Sequence, residues 1–262
     1  MGFRTMGTMA HQDSARSIGG DFLAALKRTF VPVILPLAAM WVMFVLSLLL
    51  GNWFNRTLAL NARDFSGLIG IIFMPLLHGG FGHLLGNTMS WILLGGITSM
   101  LTRQFTKVMV ALWLLSGAIL WIIGTPWVCH APAGSGCVVN HVGASTVIYG
   151  FAAFIVTYAI LARRFLAMLF GVFVAFVYGI SMLIGMLPIT PGVSWTGHLS
   201  GAIAGVVVAF FFTKEARAQR QLGASAPAEV AAPPKKLSRS HRSGKKDDDA
   251  GDGMEIDYSK YI

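Results

Sequence analysis

Apolar residues run almost unbroken through six stretches of this chain, near 30–50, 83–101, 105–124, 143–161, 165–187 and 194–213. At about 1.5 Å of rise per residue, each can cross a ~30 Å hydrocarbon layer as a helix, the fourth and sixth only just. Pro32 and Pro36 fall near the start of the first stretch, where a helix tolerates proline best. A shorter apolar run, Phe65 to Leu77, has Pro75 near its end and cannot span; it reads as an interfacial or re-entrant segment. The pattern predicts an all-α membrane protein: a six-transmembrane-helix bundle with a membrane-embedded loop between helices 1 and 2.

Composition agrees with that pattern. The chain is 55% hydrophobic and 12% charged, which excludes an ordinary soluble enzyme. Between Phe30 and Thr213 the only charged residues are Arg56, Arg63, Asp64, Arg103, Lys107, Arg163 and Arg164. The net charge of +9 therefore comes from short loops and end segments, and it points to lipid head groups, not to nucleic acid. No cleavable signal peptide is expected, because residues 1–27 are mostly polar or small and the run from Phe30 is too long for a signal core.

Lys27 and Arg28, then Arg103 and Lys107, then Arg163 and Arg164, then Lys214, Arg217 and Arg220 all fall on one side of six spans. The positive-inside rule makes that side the cytoplasm of a bacterial-type plasma membrane and puts both termini there. The organisation is then a cytoplasmic N-terminal segment 1–29, a membrane domain 30–213 and a tail 214–262. The tail is Ala-, Pro- and Lys-rich, with a basic stretch from Lys235 to Lys246, and is expected to be disordered.

In this topology the second, fourth and sixth spans all start at the outer surface. Each carries polar groups within roughly 10 Å of it: His83 and Asn87, Ser145, and His198. His83 and Asn87 are four apart and share a helix face, as do Ser145 and Tyr149. His198, Gly201 and Gly205 form a stripe of one face, with Gly143, Ala144 and Gly150 offering a matching small surface on the fourth span. Close packing there would bring the Ser145 hydroxyl to the His198 imidazole, as nucleophilic catalysis requires. A lone membrane serine usually bonds back to its own helix; a membrane histidine is costly and needs a reason to be there.

His78 precedes the second span among Gly79, Gly80 and Gly82, and either lines the site entrance or orders the loop. His130 and His141 lie in the outer loop before Ser145, with no metal-ligand spacing such as HExxH, so no metal is expected. His141 reads as a loop residue bonding to backbone. Cys129 and Cys137, in the same loop, are either a disulfide or two free thiols.

Taken together, His78, His83-Leu84-Leu85-Gly86-Asn87, Gly143-Ala144-Ser145 with Tyr149, and His198-Leu199-Ser200-Gly201 with Gly205 resemble the rhomboid family of intramembrane serine proteases. The resemblance covers Phe30 to Thr213. It implies a rhomboid-like bundle with Ser145 as nucleophile, His198 as its base, and an oxyanion site of His83, Asn87 and the Ser145 backbone N–H. It also implies that Tyr149 stacks under His198 and that the run 65–77 is the family's lateral loop. Two positions depart from the family: Thr146 follows the serine where glycine is usual, and Trp53 and Arg56 replace an adjacent Trp-Arg pair.

The expected activity is cleavage of peptide bonds in or near membrane helices of single-span proteins in the bilayer, without a cofactor. Nothing in the sequence sets an oligomeric state. Two other readings stay open: a catalytically inactive relative that binds membrane clients, and a small transporter using His83, Asn87 and His198 as a polar path. The latter would want polar groups through the cytoplasmic half and an inverted repeat; the sequence supplies few of the former and no evident repeat.

Overall fold

The computed structural model describes residues 30–124, 140–190 and 192–224. Among the described residues six helices are long and apolar enough to cross a membrane: α1 (Phe30–Leu49), α2 (Phe81–Leu101), α3 (Phe105–Ile123), α4 (Ser145–Ala162), α5 (Phe165–Gly185) and α6, whose spanning part is Trp195–Lys214. Among the described residues there is no strand, only an isolated antiparallel bridge between Leu60 and His141. His130, Cys129 and Cys137 lie outside the described residues.

Helix α4 is the centre of the bundle, with 61% of its spanning window buried against 17% for α1 and for α5. The sequence explains this, because α4 is apolar all round and mixes small residues with large ones. Its Phe151, Phe154 and Ile155 meet Trp91 and Leu94 of α2 and Leu112 of α3 in a fully buried core. Trp91 sits edge-on to Phe151 at 5.3 Å and to Trp113 at 6.2 Å, the favoured aromatic arrangement. Its indole N–H donates to the Val33 carbonyl at 2.9 Å, and Trp41 of α1 donates to the Thr88 hydroxyl at 3.2 Å.

In lipid no hydrophobic force draws helices together, so close van der Waals contact must do it. The α4–α6 seam is built that way. A Cβ on Gly205 would stand 2.7 Å from Ala153 Cβ and 2.9 Å from the Phe154 nitrogen, and one on Gly201 would strike the Thr146 carbonyl. Only glycine allows that approach, which fixes the relative height of the two helices.

Between α1 and α2 the chain forms a helical turn at Trp53–Thr57, then the short apolar helices spanning Phe65–Leu76. Phe65, Ile69 and Ile72 point outward. Main-chain carbonyls anchor this loop to α3: Trp121 Nε1 donates to Asp64 O at 2.9 Å and Trp113 Nε1 to Ile72 O at 3.1 Å. It also reaches the segment before α4, through the Leu60–His141 bridge and through Gly143 N–H donating to Met74 O at 2.9 Å.

Two boundaries and one internal turn differ from the sequence pattern. Helix α4 begins at Ser145, because Gly143 has a φ of 111° and its N–H is committed to Met74. Helix α2 holds a π-helical turn at Trp91–Gly95 that no periodicity foretold. Helix α6 continues past Thr213 to Ala224, through Ala216, Arg217 and Ala218, all strong helix formers; the tail assigned from residue 214 thus begins as helix.

Candidate functional site

The second, fourth, fifth and sixth helices enclose a cavity of about 670 Å³. His83 and Asn87 line it from α2, Ser145 and Tyr149 from α4, and His198 from α6. Ser90, Asn140, Ser181 and Ser194 add polar groups to the wall, so water is at home there.

The α2 contribution begins before the helix. His78 is 2% exposed and does not line the cavity. Its Nε2 lies 3.0 Å from Asn87 Nδ2, its Nδ1 lies 3.4 Å from the Leu76 carbonyl, and its own carbonyl accepts from Asn55 Nδ2 at 3.1 Å. Of the two roles open from sequence, ordering the loop fits, through Asn55 and Leu76, and lining the site entrance does not; the contact with Asn87 was not foreseen. Burial, and next the nearby His83, pushes the His78 imidazole down to about 4. The rings of His78 and His83 are 5.1 Å apart. One turn on, Asn87 is buried while its side chain faces the cavity.

Gly143 sits directly behind these two groups. A Cβ there would lie 2.5 Å from His83 Cε1 and 3.3 Å from Asn87 Nδ2. Its left-handed backbone and missing side chain together let the chain pass His83 and turn into α4. Ser145 is the first residue of α4, so its N–H is one of those that a helix leaves without an internal partner. Thr146 is buried against α6, and a Cβ on the facing Gly197 would be 3.0 Å from Thr146 Oγ1. The bulk gained at Thr146 is thus met by a glycine opposite.

The His198 imidazole is held on one edge and one face. Its Nδ1 lies 2.9 Å from the Gly185 carbonyl, and its ring stacks on Tyr149 at 4.0 Å with the planes 9° apart. Helix α6 starts at the right place because Ser194 caps it, its hydroxyl accepting from Gly197 N–H at 3.2 Å. Ser194 Oγ is also 2.7 Å from His141 Nδ1. His141 therefore does more than the backbone bonding expected of it: its main chain pairs with Leu60 while its ring holds the start of α6. Gly201 lies away from the cavity and serves the α4–α6 contact.

The Gly185 carbonyl and the His141–Ser194 pair were missed from sequence. Ser194 immediately before the run that starts at Trp195 was a usable N-cap signal; a backbone carbonyl carries none. Among the described residues no three His, Cys, Asp or Glu side chains converge to hold a metal ion.

A hydroxyl, an imidazole and an amide thus line one cavity of a helical membrane bundle. Residues 65–215 match the family model of the Rhomboid domain, more than half of the 262 residues. The chain belongs to the rhomboid family and is a multi-pass membrane protein. It is 38% identical over 166 residues to an uncharacterized protein of Mycobacterium bovis and to one of Mycobacterium tuberculosis, covering 60% of this chain and 66% of each relative. An uncharacterized protein of Mycobacterium leprae is 34% identical over 167 residues, covering 61% of this chain and 63% of its own length. The chain thus spans just under two thirds of the length of these curated relatives.

Proposed function

We propose that this protein is an intramembrane serine endopeptidase that hydrolyses peptide bonds in or near the transmembrane helices of other membrane proteins, single-span proteins first among them. The observation that carries the reading is that Ser145, His198, His83 and Asn87 open on one cavity, with the His198 ring held on Tyr149. Ser145 Oγ attacks the scissile carbonyl carbon while His198 Nε2 takes its proton. The tetrahedral oxyanion receives hydrogen bonds from Asn87, His83 and the Ser145 N–H. Collapse expels the amine, which leaves with the proton from His198, and water then hydrolyses the acyl-enzyme by the same steps. No cofactor enters.

A backbone inside an intact helix is shielded by its own hydrogen bonds, so substrates are expected to carry Gly, Pro or other helix-weakening residues near the cleavage site. The basic clusters at Arg103 and Lys107 and at Arg163 and Arg164 support a plasma-membrane orientation with both ends of the domain 30–213, and its flanking segments, in the cytoplasm. In that orientation the cavity opens toward the outer surface.

The test is incubation of purified protein in detergent with a generic single-span substrate and, separately, with a fluorophosphonate probe. Cleavage and labelling by wild type, both abolished in Ser145→Ala, are expected. A wild type that folds but neither cuts nor labels would overturn the reading in favour of a client-binding relative without activity.

A further inference from the structure

We propose that the backbone carbonyl of Gly185, the last residue of α5, is the positioning group that replaces the acid of a Ser–His–Asp triad. It fixes His198 as the Nδ1–H tautomer and faces the positive charge that the ring gains during proton transfer. The inference rests on the protease reading and deepens it.

A serine protease base must present an unprotonated Nε2 to the nucleophile, so something has to hold the ring proton on Nδ1. In enzymes with a full triad a carboxylate does this, and leaving the imidazole in the wrong tautomer costs on the order of 10⁴ in turnover. Among the described side chains the only acid is Asp64, and its carboxylate accepts from the Ser66 N–H in the loop after α1. No described acid faces His198. Its Nδ1 meets the Gly185 carbonyl at 2.9 Å instead. A carbonyl oxygen can only accept, so the proton sits on Nδ1 and the free lone pair on Nε2.

The position of that carbonyl in its helix gives it strength. The last carbonyls of a helix have no internal partner and together carry roughly −0.5 of an elementary charge. At the end of α5 the next N–H groups turn back: Met186 N–H goes to the Met182 and Leu183 carbonyls and Leu187 N–H to Ile184. The Gly185 oxygen is left for the imidazole. The negative end of a membrane helix thus abuts the ring edge in direct hydrogen-bond contact. A cation forming on His198 as Ser145 loses its proton gains from that field, as a triad histidine gains from its aspartate.

Glycine at 185 makes the approach possible. A Cβ there would strike the Tyr149 hydroxyl and stand 3.1 Å from His198 Nδ1. A side chain there has to displace the Tyr149 phenol or the imidazole, the two groups that set the contact. Tyr149 sets the plane of the ring and Gly185 sets its rotation within that plane; neither alone fixes both.

The test reads the tautomer directly. In ¹⁵N-histidine-labelled wild-type protein in detergent, with the His198 signal assigned by its loss in His198→Gln, the shifts at neutral pH should be those of an Nδ1–H imidazole. An Nε2–H tautomer would overturn the inference without touching Ser145, whose probe labelling is scored on the same sample. Lost labelling with the expected tautomer would instead sink the protease reading. In Gly185→Ala we expect kcat to fall at least roughly tenfold with KM within about twofold, alongside a mixed tautomer signal. Unchanged kcat in a folded Gly185→Ala protein would also overturn it.

Discussion

Asn87 Nδ2 stands 3.0 Å from His78 Nε2, an amide nitrogen against a ring nitrogen inside the bundle. An amide N–H₂ only donates, so the ring accepts, which leaves the His78 proton on Nδ1 toward the Leu76 carbonyl. One Asn87 hydrogen is spent there and the other is free for the cavity. In the proposed mechanism His78 is thus a buried positioning residue for the oxyanion donor Asn87. In His78→Leu the amide loses its anchor, and turnover should fall roughly three- to tenfold, the worth of one hydrogen bond. His78→Gln, which restores an acceptor, should recover part of it. Steady-state cleavage by both variants checks this; equal rates for the two would remove the anchoring role.

The same contact gives a pH dependence. Burial holds the folded-state value of His78 at about 4, below its ordinary 6.5. A depressed histidine means that the unfolded chain binds more protons over that window, so this group stabilises the fold fully above 6.5 and progressively less down to about 4. Below that, an Nε2–H would face the Asn87 amide donors. The unfolding midpoint in detergent should therefore drop more between pH 7 and pH 4.5 in wild type than in His78→Gln. Parallel curves would assign the acid sensitivity elsewhere.

Asn87 itself should matter for both rate and stability. Removing one preorganised oxyanion donor costs on the order of a hundredfold in turnover, and Asn87→Ala also leaves the buried His78 Nε2 without its donor. Turnover should fall by that order, with the protein destabilised by about 1–3 kcal/mol, the cost of an unpaired buried acceptor. Near-wild-type cleavage would take Asn87 out of the mechanism.

The six spans were legible because lipid demands long apolar runs, and His83 with Asn87 because helical period puts residues four apart on one face. What stayed hidden depends on main chain or on tertiary partners. His78 could be read two ways until its distance to Asn87 was known. The Gly185 carbonyl has no residue type to announce it, and the π-turn at Trp91–Gly95 shifts the face of α2 without any marker residue. The start of α4 was placed two residues early because Gly143 and Ala144 look like helix in an apolar run. Gly143 is instead a left-handed link fixed by Met74.

Gly143 is accordingly a strong stability test. Its φ of 111° is a conformation that an L side chain rarely adopts, and an added methyl would press on His83 Cε1 at 2.5 Å. Strain of this kind costs on the order of 1–3 kcal/mol, before the displaced histidine is counted. Gly143→Ala should lower both the unfolding midpoint and probe labelling of Ser145, whereas the same change at Gly86, where a Cβ meets nothing, should leave the midpoint unmoved. A stable, labelled Gly143→Ala protein would contradict the geometry.

Thr146 and Gly197 offer the sharpest check on how this chain carries a larger residue after its serine. The two meet across the α4–α6 seam, where a Cβ on Gly197 would lie 3.0 Å from Thr146 Oγ1 and 2.7 Å from Ser194 Oγ. Gly197→Ala alone should be destabilising by about 1–3 kcal/mol, as overpacking in a tight interface is. Thr146→Ala alone opens a small space and should cost less. If the bulk at one position is traded against the other, the double variant should be more stable than the sum of the singles predicts, with a coupling of at least about 0.5 kcal/mol. The Ser194 contact stays in both backgrounds, so rescue should be partial. Additive changes in the unfolding midpoint across the four proteins would show that the two residues do not compensate each other, and that the space for Thr146 is found elsewhere in the seam.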